Sequence, residues 1–382
     1  MKSALEILFW LCAGLVVWTQ VGYAIALAAL ARVLGQPSTL AQLAQLPSLS
    51  LIVAAHDEQS VIAVKVENAL ALDYPRELLE LIVACDGCSD ATAKHAREAG
   101  ADVVIELPRG GKVRAQDAAV RSARGEIVAF SDANASWAPA AARALVSAFA
   151  DPLVGYACGQ VRFVQAASGA NATNQEGLYW RYEMAVRSLE SRLRSITAGN
   201  GAIYATRRDA YFEVDPIMGH DLSFPFNMVK RGFRAVYVPA AQAREKMVPS
   251  IEGEFARKRR MMSHTWPIVL RGGMLSPRGY GLGYGLMILS HRILRYATPF
   301  LHAVALLANT ILVLVGAGSL YVVTLALQLA LLAAAALAGR MQARWLLVAR
   351  YYVLTTTSLA AGLWDWLRHG TEASWDAAEG TR

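Results

Sequence analysis

Hydrophobic and polar positions divide the chain into three textures. From Ile7 to Ala31 it is apolar apart from Thr19 and Gln20, bracketed by Glu6 and Arg32, and long enough to cross a bilayer. The run is too long for a cleaved leader and has no convincing small-residue cleavage site, so a permanent span is expected. Gly35 to Pro47 reads as a Pro-containing linker with a short interfacial helix. From Ser48 short β-type runs alternate with helical spacing. Strands are predicted at Leu49–Ala54, Leu79–Ala84, Val103–Glu106 and Ile127–Phe130, with helices at Ser60–Leu70, Ala91–Ala99 and Val113–Ser122 between them. Such alternation predicts a mixed, mostly parallel α/β sheet with helices on both faces.

Beyond Asp132 the pattern loosens. Helices are expected at Pro139–Phe149 and Gln175–Arg194, and one or two strands at Gly155–Val164. A strand follows Gly199-Asn200-Gly201, a helix opens at Gly219-His220-Asp221, and Ala235–Val238 reads as a short closing strand. The third texture is again apolar, with spans expected near Thr298–Val315, Leu320–Leu337 and Trp345–Trp366. Tyr280–Tyr296 either lies in the interface or begins a span. The chain thus divides into an N-terminal span (1–35), a soluble domain (48–245), basic interfacial helices (246–297), three spans (298–367) and a polar tail (368–382). Arg340 and Arg344 make the second connector cytoplasmic, on the side of the large basic domain, which places both termini outside.

Composition agrees with a sizeable soluble domain held between membrane-crossing ends. Of 382 residues 55% are hydrophobic and 18% charged, and the excess apolar content sits at the two ends. The formal net charge of +7 points to an anionic partner, nucleotide, phosphate or acidic lipid; with no recognised binding module, nucleic acid is not expected. Of four cysteines, Cys85 and Cys88 form a C-x-x-C, which suits a redox pair or half a zinc site. No second pair or His pair stands at metal-site spacing, which argues against zinc.

The candidate chemistry lies at strand ends. Asp57 and Glu58, Asp86, Lys112 and Asp132 would gather along one carboxyl edge, where open α/β sheets bind ligands. Each also reads as a cap or turn residue. Asp86 and Glu58 suit hydrogen bonds from a base or ribose; Lys112, after two glycines, suits a phosphate. Asp132 and Asn134, two residues apart, suit Mg2+ or Mn2+ on a diphosphate, or an Asx turn leading into a helix. Asp221 reads as a helix cap or as a general base. The glycines match neither a Walker A loop nor a dinucleotide fingerprint.

Taken in order, Ala-His-Asp-Glu (Ala55–Glu58), Cys-Asp-Gly-Cys-Ser-Asp (Cys85–Asp90), Ser-Asp-Ala-Asn (Ser131–Asn134), Gly-His-Asp (Gly219–Asp221) and Arg257-Lys258-Arg259-Arg260 before membrane spans resemble glycosyltransferase family 2. Within it they are similar to membrane-embedded synthases of the cellulose, hyaluronan and poly-N-acetylglucosamine type. The resemblance implies a Rossmann-like, GT-A type domain that binds a nucleotide sugar, usually a UDP-sugar, with Mg2+ or Mn2+. It implies Asp57 and Glu58 near the nucleotide, Asp86 at the uridine, and Asp132 on metal and diphosphate. Gly199, Asn200 and Gly201 match the acceptor-side loop, Asp221 the base of an inverting transfer, and Arg260 the position that neutralises diphosphate charge. The leading expectation is extension of a growing β-linked polysaccharide, and the alternative is transfer of a single sugar to a lipid acceptor, a polyprenyl phosphate or a glycolipid. The protein would be multi-pass in a bacterial plasma membrane, its catalytic domain cytoplasmic. The sequence departs from the family in having Asn134 for a second aspartate, His220 before the base, and neither glutamine nor tryptophan around Arg257–Met261. The missing tryptophan removes a stacking platform for an acceptor sugar. A nucleotidyltransferase or an inactive membrane scaffold are readings from other classes.

Overall fold

Four parallel strands form one half of an eight-stranded sheet: β1 (Leu49–Ala55), β2 (Leu79–Asp86), β3 (Val103–Leu107) and β4 (Ile127–Asp132). β3, at the sheet edge, is partly exposed, while β1, β2 and β4 are buried on both faces. Burial on both faces is why these strands read as near-continuous apolar runs. The other half comprises β5 (Ser136–Trp137), β6 (Val154–Val164), β7 (Tyr204–Arg207) and β8 (Arg234–Lys246). The strand order is β3-β2-β1-β4-β7-β6-β8-β5, with β7 antiparallel to both β4 and β6, and β8 parallel to β6. The computed structural model describes residues 2–36, 43, 45–164, 170–246, 251–341 and 343–373. The expected interfacial helix before Pro47 and the end of the polar tail lie outside them.

Two apolar layers flank the sheet. On one face Leu51, Val53 and Leu81 pack under helices α3 (Ile62–Leu70), α4 (Thr92–Glu98) and α6 (Ala141–Ser147). On the other, Ile52, Ile82 and Phe130 meet α5 (Lys112–Ser122) and α8 (His220–Lys230). Neighbouring β1 residues thus face opposite layers, as the strand period of two requires. α7 (Ala170–Leu193) leads from the sheet toward the apolar helices.

The flanking helices are α1 (Lys2–Val17) and α2 (Tyr23–Val33), continuous through a π-type turn, then α9 (Ile251–Leu270), α10 (Leu282–Met287), α11 (Leu294–Leu314), α12 (Ser319–Leu337) and α13 (Arg344–His369). By length and composition Lys2–Val33, Leu282–Leu314, Ser319–Leu337 and Arg344–His369 are able to span a membrane. Tyr280–Tyr296 therefore mostly begins a long helix, with α10 and α11 joined through another π-type turn. A third apolar cluster, including Tyr23, Leu222, Phe226, Trp266, Ile288 and Trp366, ties α8 to these helices. A buried polar seam runs beside it. Tyr23 donates to Glu190 (2.7 Å), His291 Nδ1 meets the same carboxylate (2.6 Å), and Arg292 donates to Thr197 (2.8 Å) at the start of the loop toward Gly199.

The chain's end departs from the expected topology. Arg259 of α9 forms a two-pronged pair with Asp365 near the end of α13 (2.6 and 2.7 Å), and Thr371 donates to the Ser263 carbonyl (2.8 Å). Residues 371–373 therefore lie with the sheet domain, whereas three full crossings would carry them to the opposite side. α13 has the lowest hydropathy of the four candidate spans.

Candidate active site

The parallel register sets Ala55 beside Cys85 and Ala54 beside Asp132, so Asp57, Asp86 and Asp132 leave the sheet at one edge. Asp86 is only 4% exposed. Its Oδ1 accepts from the Gly110 N–H (2.6 Å), its Oδ2 from the Gly111 N–H (3.0 Å), and the Arg109 guanidinium stands 3.4 Å away. Gly111, at φ +94°, then starts α5, and Lys112 in its first turn pairs with the Asp132 carboxylate. Asp86, the two glycines, Lys112 and Asp132 thus form one linked unit. The Asp86 oxygens serve its turn. Beside this unit Asp86, Leu107, Arg109 and Arg114 line an open cleft of about 430 Å³.

Asp57 sits at φ 49°, a left-handed backbone that aspartate tolerates better than most residues. Its carboxylate accepts from the Ser89 N–H (2.7 Å), which, with the neighbouring His56, holds its pKa below the usual carboxylate value. Glu58 begins the turn into α3: its N–H donates to the Thr92 hydroxyl (2.8 Å), and its carbonyl accepts from Val61 and Ile62.

Around Asp132 the donor set suits a hard cation. Asn134 lies in the tight turn Asp132–Ala135, closed by the Ala135 N–H on the Asp132 carbonyl (3.2 Å). The β5–β8 pairing brings in a residue the sequence did not suggest, Glu245. Burial, and next the negative charge of Asp132, push its carboxyl up to about 7. A divalent cation bound here would relieve the charge that opposes ionisation of Glu245. Gly201 keeps this corner open, since a Cβ there would meet Lys112 Nζ at 3.2 Å and Asp132 Oδ2 at 3.5 Å. Below, buried Lys65 donates to the Ala135 carbonyl (2.7 Å), its pKa lowered to about 7 by burial although Asp132 opposes the shift.

Asp221 lies in the first turn of α8. Its carbonyl accepts from the Gly199 N–H (2.7 Å), and its Oδ1 from the Leu222 N–H (3.0 Å). The loop Gly199–Gly201 links the two carboxylate residues, its first glycine bonded to the Asp221 carbonyl and its last facing the Asp132 carboxylate. His220 turns inward, bonded to Tyr204 (2.9 Å) and stacked on Phe224 (4.2 Å); burial lowers its pKa to about 3, so it is a neutral core brace. His264 on α9 meets the Ile217 carbonyl (3.1 Å), which sets α9 against the segment leading to Asp221; burial chiefly lowers the His264 pKa. Of the expected acceptor loop, Gly201 faces Lys112 and Asp132. Gly199 is tied by its carbonyl to Arg187 (2.9 Å). Asn200 turns inward, donating to the Gly159 carbonyl (2.8 Å) and accepting from the Ile203 N–H (2.9 Å).

Glu245 escaped sequence reading because Pro239 reads as a strand stop. The β6–β8 ladder instead skips from Gly159–Val238 to Gln160–Gln242, bulging around Pro239 and continuing to Lys246. Lys65 has no sequence signal that separates it from a solvated helix position.

Nearly the whole chain superposes on a mannosyltransferase from Pyrobaculum calidifontis described in complex with GDP-Man and Mn2+. The TM-score is 0.72 at 21% identity, covering 95% of this chain and 99% of that one. The mixed sheet with its carboxylate edge is the GT-A fold of glycosyltransferases. Residues 47–263 match the glycosyltransferase like family 2 profile, and the chain belongs to that family. It is 29% identical over 217 residues to a beta-monoglucosyldiacylglycerol synthase of Trichormus variabilis, covering 52% of this chain and 45% of that protein. It is 28% identical over 235 residues to an N-acetylglucosaminyltransferase of Mesorhizobium japonicum, covering 56% and 54%. The chain thus spans about half the length of these relatives.

Proposed function

We propose that this chain is an inverting glycosyltransferase that moves one sugar from a nucleotide sugar, a UDP-sugar by family resemblance, onto a lipid acceptor at the membrane surface. The observation that carries the reading is the Gly199–Gly201 loop, bonded to Asp221 at one end and facing the paired Lys112 and Asp132 at the other. Asp57 and the turn held by Asp86 cradle the nucleotide. Asp132, with Asn134 and Glu245 beside it, would hold a Mg2+ or Mn2+ ion, whose charge would make a diphosphate a better leaving group. Lys112 and Arg260 add positive charge to the departing oxygens. Asp221 takes the proton from the acceptor hydroxyl as that oxygen attacks the anomeric carbon, which inverts its configuration.

Two features favour a lipid acceptor over a growing polymer. Phe255, Ala256, Arg260 and Ser263 of α9 line a groove with Asp365 of α13, so the Arg260 side of the site opens along membrane-facing helices. The seam between α1 and α11 is filled by Phe9, Cys12, Ala305, Ala308 and Leu312, a closed packing and not a conduit. Incubating membranes that carry the protein with radiolabelled UDP-sugars, one at a time, tests the proposal. UDP release with label on an organic-extractable lipid bearing a single sugar is expected. Label in a ladder or high polymer would replace the lipid acceptor with a polysaccharide.

A further inference from the structure

We propose that His56, Asp57 and Cys88 form a second metal site, for a borderline ion of the Zn2+ class, separate from the oxygen-lined position at Asp132. Spacing along the chain hides it. His56 and Asp57 leave β1 and Cys88 leaves β2, and the register that pairs Ala55 with Cys85 brings the two turns together. One ligand atom from each residue lies within 4.8 Å of the other two, and His56 Nε2 is 3.7 Å from Asp57 Oδ2. Ligand atoms of a tetrahedral zinc site, with bonds of about 2.0–2.3 Å, stand roughly 3.3–3.7 Å apart. Closure therefore needs movements of about an ångström in side chains that are only half-buried.

Each donor is already oriented. His56 Nδ1 lies 2.7 Å from the Asp86 carbonyl, which can only accept. Nδ1 therefore carries the proton and Nε2 presents its lone pair, the outer-shell arrangement of metal-binding histidines. Asp57 Oδ1 is fixed by the Ser89 N–H (2.7 Å), and the Ser89 hydroxyl lies 3.3 and 3.2 Å from Oδ1 and Oδ2. The Cys88 thiol donates weakly to the Ala55 carbonyl (3.4 Å), and on binding gives up its proton to solvent as the sulfur becomes a thiolate ligand. Nitrogen, oxygen and sulfur together are a set that Zn2+ accepts and Mg2+ does not. Three ligands leave the fourth position to water, so the ion is exchangeable. Asp57 also belongs to the proposed donor cradle, so a bound ion would inhibit transfer; this consequence alone rests on the functional reading above.

The test uses the full chain in detergent with TCEP and saturating Mg2+, and Co2+ as spectroscopic probe. One equivalent of Co2+ should give a near-ultraviolet thiolate-to-cobalt band that Zn2+ abolishes. Cys88→Ser should lose the band and Cys85→Ser should keep it. Absence of the band at one equivalent, or its survival in Cys88→Ser, would overturn the site. Zn2+ should then inhibit sugar transfer by wild type at least tenfold more strongly than by Cys88→Ser. Zn2+ that binds through Cys88 without slowing transfer would leave the site standing and contradict its overlap with the donor cradle.

Discussion

At the scale of single residues, Asp117 shows how burial tunes a carboxyl beside the cleft. It lines the cleft beside Asp86, and burial raises its carboxyl to about 6. A hydrogen bond from Tyr211 (2.5 Å) opposes the shift, Glu213 reinforces it and Arg121 opposes it. Because the folded value exceeds the unfolded one, this group's stabilising contribution is full below about pH 4 and is lost as pH rises through about 6. Two units correspond to about 3 kcal/mol at most, since each unit is worth about 1.4 kcal/mol. Asp117→Asn should therefore gain on wild type as pH rises: the difference between their unfolding midpoints should be wider at pH 8 than at pH 5. Midpoints that run parallel across that range would contradict the assignment. The sequence made Asp57, Asp86, Asp132 and Asp221 legible as candidates because each ends a strand or starts a helix, positions that pattern alone locates. Lys65, Glu245 and Asp117 were not legible, because what distinguishes them is a neighbour distant in sequence.

Among elements, the turn from β3 into α5 carries the most consequence. Gly110 and Gly111 look alike in sequence but differ in what a side chain would meet. At Gly110 a Cβ faces the flexible Arg114 side chain at 3.0 Å; at Gly111 it falls 2.2 Å from the Ala373 carbonyl, at a φ of +94°. Such a backbone costs a residue other than glycine about 1–3 kcal/mol. Gly111→Ala should raise the donor KM several-fold and lower the unfolding midpoint by a few degrees, because it displaces Lys112 from Asp132. Gly110→Ala should stay close to wild type in both measurements, and equal effects would remove the special role of Gly111. The first four strands were legible because strands in a parallel sheet leave largely apolar runs, as in Ile127–Phe130. β8 was read as ending at Val238, since a bulge around Pro239 has no signature in one sequence.

For the whole molecule, the apolar ends were legible and their arrangement was not. Hydropathy counts helices, but the positive-inside rule cannot see Arg259 drawing Asp365 back to α9, or Thr371 reaching Ser263. The seam from Tyr23 through Glu190 and His291 to Thr197 likewise joins a membrane helix to the loop before Gly199, which apolar patterning does not reveal. The proposed centre sets Asp221 against a donor anchored near Asp132. Asp221→Asn tests that centre most directly, with turnover followed by UDP release and donor binding by calorimetry. A loss of about 10²–10⁴-fold in turnover with unchanged donor affinity is expected; turnover equal to wild type would contradict the account.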